Sequence, residues 1–277
     1  MKVAVCTPTR NRRWAWAFSK ACMDTQTLQP DVWIIVDNTP VHGQDWSVCL
    51  EETRPILYER EYTPQTIGWL RNRCVEIALR EGADYIVFWD DDDYYPPNRI
   101  CKSIRALEDN PQADIAGSTL MYILLTRENV LMTTGPFHNQ HCTAATMVIR
   151  RRYAETHRFD PTREKAEEVT FTNNWSANVV QLQPEDVIVV MGHAQNTVDK
   201  SYLLRNPVRY NAKIVNDING KMMFRTRWPV QWDLWKSTFF GEACVPLPSY
   251  TPLEEFQTVV VPILHTEDTV ESGERRA

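Results

Sequence analysis

Apolar residues along this chain follow two patterns: short unbroken runs, and recurrences at helical spacing. Lys2 to Cys6, Val32 to Val36 and Tyr85 to Trp89 are runs without polar alternation, as expected of strands covered on both faces. Ile56 to Arg60 reads as a further strand. Trp14 to Gln26 carries Phe18, Cys22 and Met23 at helical positions. Ile67, Leu70, Cys74, Ile77 and Ala78 repeat in the same way behind a capping Thr66, and Gly82 marks the stop. Pro96-Pro97 opens another helix, with Ile100, Ile104 and Leu107 on one face and Asn110-Pro111 at its end. This order predicts an α/β, Rossmann-like, mostly parallel sheet flanked by helices. Ligands in such sheets sit beyond the carboxyl ends of the strands, and polar clusters follow the first, second and fourth strands here.

The second half reads differently. Ile115 to Ser118, Met121 to Leu125, Ala145 to Ile149 and Val187 to Val190 are short strand candidates, separated by polar connections at 126–143 and 153–174. They predict mixed or antiparallel strands added to the parallel half. From about Ser201 the pattern weakens. Trp228, Trp232 and Trp235 predict a segment that folds back on the core, and the tail from about Thr266 reads as loose. The expected division is a domain over 1–200, with halves 1–115 and 116–200, and an extension over 201–277.

With 277 residues, 43% of them hydrophobic, the chain can bury a full core. A formal net charge of -6 argues against a broad nucleic-acid-binding surface, with Arg150-Arg151-Arg152 as a local basic patch. The seven Cys are scattered without a CxxC pair, which predicts free thiols in a reducing compartment. No secretory signal precedes the first run and no run of 18 apolar residues occurs, so a cytoplasmic protein without a membrane span is expected.

The run Asp90-Asp91-Asp92-Asp93, at the end of a buried strand, changes the picture most. A solvated face or a helix N-terminal bias is served by one or two acids. Four adjacent carboxylates repel one another unless cations or donors neutralise them. Mg²⁺ and Mn²⁺ prefer oxygen ligands and often bind substrate phosphates as well. In an extended segment Asp90 and Asp92 point the same way, so the spacing predicts that they converge on one ion.

Taken with the Thr7-Pro8-Thr9 turn, the segment Thr27-Leu28-Gln29-Pro30-Asp31, the strand ending at Asp37 and the helical Leu70-Arg71-Asn72, this run resembles a known pattern. Over about residues 2–200 the chain is similar to family 2-type glycosyltransferases with the GT-A fold, especially the small glycosyltransferase-like proteins of bacteriophages. The resemblance implies that 1–115 is the nucleotide-binding half and 116–200 the acceptor and catalytic half. It implies a nucleotide pocket lined by Thr7, Pro8, Thr9 and Arg10, and a base contact from Asp37. Arg71 would lie near the diphosphate and Asn72 would hold a loop. Asp92 would ligate Mn²⁺ or Mg²⁺, and Asp90 would contact the ribose or a metal-bound water, with Asp91 as the alternative. Ala144 to Arg150 and Arg158-Phe159-Asp160 match further family segments. The family's Glu-Asp pair has become Glu167-Glu168 here, which makes Glu168 the expected base and Glu167 its rival. A Glu reaches ~1.5 Å further than an Asp, and placement matters in catalysis. His193, in Gly192-His193-Ala194-Gln195-Asn196, would contact the metal or the diphosphate.

The implied reaction is metal-dependent, inverting transfer from a nucleoside-diphosphate sugar to an acceptor hydroxyl. The acceptor would be a glycan or a small molecule, with a modified DNA base also open. The extension over 201–277 would shape the acceptor site or make a homodimer contact. Read alone, the same residues have plainer roles: Asp37-Asn38 is a good turn, Arg71 an ordinary surface charge, Glu168 part of the charged run from Arg163, and His193 a turn histidine. Either Arg10 or Arg12 could pair with a phosphate. His138 and His141 fit an acceptor-side loop or a mobile surface loop. Trp14 and Trp16 fit core packing better than stacking on a ligand. Two other functions compete. A nucleotidyltransferase acting on sugar phosphates would usually show a glycine-rich loop, and Thr7 to Arg13 contains no Gly. A non-catalytic sugar-nucleotide or glycan-binding protein is favoured only by the Glu at the base position.

Overall fold

A computed structural model of the chain describes residues 1–50, 55–128 and 130–215. The expectations for Trp228, Trp232, Trp235 and the tail lie outside the described residues, as does most of the 201–277 extension.

Strands β1 (Val3–Thr9), β2 (Val32–Asp37), β3 (Ile56–Arg60) and β4 (Tyr85–Phe88) run parallel in the order β3-β2-β1-β4. Every residue of β1 and β2 is buried, which is why their sequences lack alternation. Three helices cover the sheet: α1 (Trp16–Asp24), α2 (Ile67–Arg80) and α3 (Arg99–Asp109). The Thr66 hydroxyl caps α2 by accepting from the Trp69 N–H at 3.2 Å. On one face of the sheet Trp16 stacks on Trp33, with ring centroids 5.3 Å apart. On the other, Phe88 meets Phe159 and Phe171 edge-on.

The second half extends this sheet and adds another. Strands β5 (Ile115–Gly117), β8 (Val148–Arg150) and β9 (Val179–Gln181) continue it as β4-β8-β5-β9, with β8 antiparallel to both neighbours. The hairpin β6 (Met121–Leu125) and β7 (Val130–Thr134) forms a smaller sheet with β10 (Val189–Gly192) and β11 (Ala212–Ile214). Strand β7 lies where the sequence reads as polar connection. Only Leu131, Met132 and Thr134 of its five residues are buried, so it lacks a continuous apolar run. Ala145 and Thr146, expected to begin a strand, lie in the 3-10 turn Ala144–Thr146 ahead of β8, and the short helix α4 (Arg151–Ala154) follows β8. No helix among the described residues is long and apolar enough to cross a membrane.

Two docking contacts place the acids. Tyr94 pairs with Val189 in an antiparallel bridge, with N–O distances of 3.0 and 2.9 Å. The Asp93 carboxylate accepts from the Met191 N–H at 2.9 Å. Strand β10 is thereby pinned to the acid turn, and the residue just after it, His193, arrives beside Asp92.

Candidate active site

The four carboxylates at the end of β4 go to four different sets of partners. Residues 91–93 turn and bend away from an extended course, and Asp90 and Asp92 take different partners. Asp90 accepts from Arg71 Nη2 at 2.9 Å, and its own N–H donates to the Tyr95 hydroxyl at 2.7 Å. Asp91 accepts from the Thr9 hydroxyl and from Arg12 Nη1, both at 2.6 Å. Asp92 Oδ2 receives Arg12 Nη1 at 2.8 Å, His193 Nε2 at 2.9 Å and Asn196 Nδ2 at 3.2 Å. Asp93 turns inward to Met191. Their mutual repulsion is thus relieved by two guanidiniums, a histidine and a backbone amide, with Asp93 buried as a structural acceptor.

The electrostatics follow. Burial works to raise the Asp92 carboxyl, but the Arg12 charge and the His193 hydrogen bond outweigh it and hold the group down at about 2. Burial pushes Asp91 up to about 7, with Asp92 adding to the push against Arg12 and Thr9. Asp93 is raised well above the usual carboxylate range by burial and by its acidic neighbours.

His193 is held from several sides. Its Nδ1 accepts from the Gln195 N–H at 3.2 Å, which leaves the proton on Nε2 for Asp92 to accept. Trp14 meets its ring edge-on at 5.1 Å. Trp14 therefore supports the site, whereas Trp16 belongs to the core. Asp92 and His193, 2.9 Å apart, offer one oxygen and one nitrogen donor of the kind that could hold a divalent ion. Ligation through Nε2 would require its proton and Arg12 to give way. Among the described residues no group of three or more His, Cys, Asp or Glu could hold a metal, so a divalent ion here would draw its remaining ligands from water or substrate.

A second acidic group lies beside the first. Buried Arg71 spans Asp90 and Glu167, with Nε 2.8 Å from Glu167 Oε1. Its Nη1 is buried without a hydrogen-bond partner among the described residues. Glu167 precedes the short helix α5 (Glu168–Phe171). Two features bring this segment in. Asn72 brackets Phe159, donating to its carbonyl at 2.9 Å and accepting from its N–H at 2.8 Å. Gly68, in the first turn of α2, passes so close that a Cβ there would lie 1.9 Å from the Asp160 carbonyl oxygen. Glu167 is committed to Arg71, while the half-buried Glu168 carboxylate meets its own backbone N–H and has no side-chain partner among the described residues. Burial and the Glu167 charge push Glu168 up to about 7.

The remaining expected residues divide. Thr7 is fully buried and accepts from Trp33 Nε1 at 2.9 Å, so its hydroxyl serves the core, and Pro8 is buried with it. Thr9 reaches the acids, Arg10 is exposed, and Arg12 is the arginine that meets the carboxylates. Asp37 is fully buried and accepts from the Thr39 and Trp46 N–H groups and the Tyr58 hydroxyl, at 2.9 to 3.0 Å. It ties down the loop after β2 and keeps little accepting capacity for anything else. The roles of Arg12 and Asn196 depend on contacts made from 79 to 104 residues away, which local sequence does not reveal.

The model of the family described as Glycosyl transferase family 2 matches residues 4–175. Comparison with curated protein sequences gives no match. Among solved structures, S. aureus TarS 1-349 in complex with UDP-GlcNAc superposes with a TM-score of 0.53 at 14% identity, covering 71% of this chain and 60% of that one. Mannosyltransferase PcManGT from Pyrobaculum calidifontis, in complex with GDP-Man and Mn2+, superposes with a TM-score of 0.53 at 12% identity, covering 74% and 60%. The chain thus spans about 60% of the length of these two structures, and the fold they share with it is GT-A.

Proposed function

The chain belongs to glycosyl transferase family 2, and on that footing we propose that it transfers a sugar from a nucleoside-diphosphate sugar to an acceptor hydroxyl, with inversion and with help from Mn²⁺ or Mg²⁺. The observation that carries this reading is Arg71, which joins the acid turn after β4 to the Glu167-Glu168 pair and makes one site of them.

Asp92 and His193 would hold the divalent ion, which when bound would offset charge developing on the leaving diphosphate. Glu168 takes the proton of the acceptor hydroxyl. The acceptor oxygen then bonds to the anomeric carbon as the bond from that carbon to the diphosphate oxygen breaks. The nucleoside diphosphate leaves with the electron pair. A base that titrates at about 7 is matched to this task near neutral pH. Glu167, paired with Arg71, positions the segment and supplies the like charge that raises Glu168. Arg71 and Arg12 supply fixed positive charge on either side of the acid turn. A glycan or a small molecule is the acceptor this reading favours.

Calorimetric titration of UDP, GDP, CDP and dTDP, with and without Mn²⁺, tests the donor half. The expected result is binding of one diphosphate that needs both Mn²⁺ and Asp92, and is lost in Asp92→Ala. Metal-independent binding, or none by any of the four, would count against it.

A further inference from the structure

An aromatic cluster lies one step beyond Glu168. Trp175 and His141 face each other with ring centroids 4.5 Å apart and an interplanar angle of 35°. Phe137, 44% exposed, lies 4.6 Å from His141, and His138 meets both His141 and Trp175 edge-on.

Both segments that carry the cluster lead back to the site. The Trp175 N–H donates to the Thr172 hydroxyl, which in turn donates to the Glu168 carbonyl at 2.8 Å. The loop bearing Phe137 and His141 runs on to Ala145, whose carbonyl accepts from the Tyr95 hydroxyl, the group that accepts from the Asp90 N–H. The buried Cys142 thiol, next to His141, is pushed up first by burial and then by the charge of Glu168, so that loop lies within the field of the acid.

The cluster is built in advance. Gln181 donates to the carbonyls of Asn139 and His141 at 2.7 and 2.9 Å, and accepts from the Thr119 N–H. The Thr119 hydroxyl accepts from the Phe137 N–H and lies 3.3 Å from His141 Nδ1, which ties the imidazole to the same loop. Burial and His138 keep His141 uncharged, holding it down at about 4. Asn173, Asn174 and Trp175 have φ of 50°, 54° and 63°. Asn tolerates this left-handed backbone, but a bulky residue there is an outlier that strains the chain. An indole held in that conformation a few residues after Glu168 is an outlier of the kind associated with function.

Resting on the transferase reading, we propose that Trp175, His141 and Phe137 form the platform on which a pyranose ring of the acceptor stacks, with its hydroxyl presented to Glu168. Uncharged aromatic faces match the C–H face of a sugar ring, and the indole and imidazole N–H groups, with exposed Asn173 and Asn174, offer donors and acceptors for its hydroxyls. The site therefore takes a carbohydrate acceptor rather than a charged one.

Saturation-transfer NMR on the full chain, without nucleotide, tests this with methyl β-D-glucopyranoside, methyl α-D-mannopyranoside and methyl N-acetyl-β-D-glucosaminide. Ring-proton transfer to at least one pyranoside is expected in the wild type, about tenfold weaker binding in Trp175→Asn, and a similar loss in His141→Ala. Asn accepts the left-handed backbone, so Trp175→Asn should melt no lower than wild type. No contact with any pyranoside, or contact unchanged in both variants, overturns the proposal. So does a lower melting temperature in Trp175→Asn with sugar contact unchanged, which would make the cluster a packing element. Diphosphate binding in the same variants reads the donor site separately. Its absence from the wild type would count against the transferase reading, while its persistence in a variant that has lost the sugar supports the platform.

Discussion

Arg71 Nε lies 2.8 Å from Glu167 Oε1, across 96 residues of chain, and the same side chain reaches Asp90. One buried guanidinium thus holds together acids delivered by β4 and by α5.

Replacing it removes the only charge that binds both among the described residues. Arg71→Met should leave Asp90 and Glu167 uncompensated and lower stability by about 3–5 kcal/mol, read by urea denaturation. A loss below about 1 kcal/mol would show that the pair is not held by Arg71.

Gly68→Ala tests the close packing of α2 on the segment before α5. The added Cβ meets a backbone carbonyl, which cannot swing aside as a flexible side chain can. The segment should shift, costing roughly 100-fold in sugar transfer while leaving diphosphate binding unchanged. Equal transfer rates for wild type and variant would mean that this approach does not position Glu168.

Arg12 sits where a divalent ion would be attracted, on both Asp91 and Asp92. Arg12→Met should melt lower than wild type in the absence of divalent ions. Mn²⁺ should then raise its melting temperature by about 3 °C or more, and by more than in wild type, because no guanidinium competes. An identical response of the two proteins to Mn²⁺ would contradict competition at this position.

The pH dependence has a definite sign. Glu168 titrates at about 7 in the folded chain, against about 4.3 when unfolded. Between these values the folded chain binds the proton more tightly, so this group lowers stability as pH rises through the window and no further above it. Glu168→Gln should lack that slope, so its stability advantage over wild type should grow from pH 4 to pH 7 and then level. Turnover needs the ionised carboxylate and should rise through an acid limb near pH 7. A turnover limb near pH 4 would contradict the raised Glu168.

Much of this was legible in the chain. The unbroken apolar runs became β1, β2 and β4 because both faces of that sheet are covered. The acids at the end of β4 and the helix bearing Arg71 were placed by the same logic. Where each Asp goes was not legible, since Arg12, Arg71, Met191 and His193 reach them from distant elements. Strand β9 is only half-buried along its length, and β8 owes its place to antiparallel pairing with both β4 and β5. Neither fact leaves a local signature. Thr7 illustrates the limit at a single residue: the Thr7-Pro8-Thr9 segment reads as a turn lining a nucleotide pocket, yet it is the buried end of β1, and the Thr7 hydroxyl accepts a bond from Trp33 in the core.

The most direct test of the account follows nucleoside diphosphate release from UDP- and GDP-sugars in Mn²⁺, by wild type and by Glu168→Gln. The account predicts release by wild type from at least one donor, and release reduced roughly 100-fold or more in Glu168→Gln, with that diphosphate still bound as tightly. Release at the wild-type rate by Glu168→Gln would contradict it.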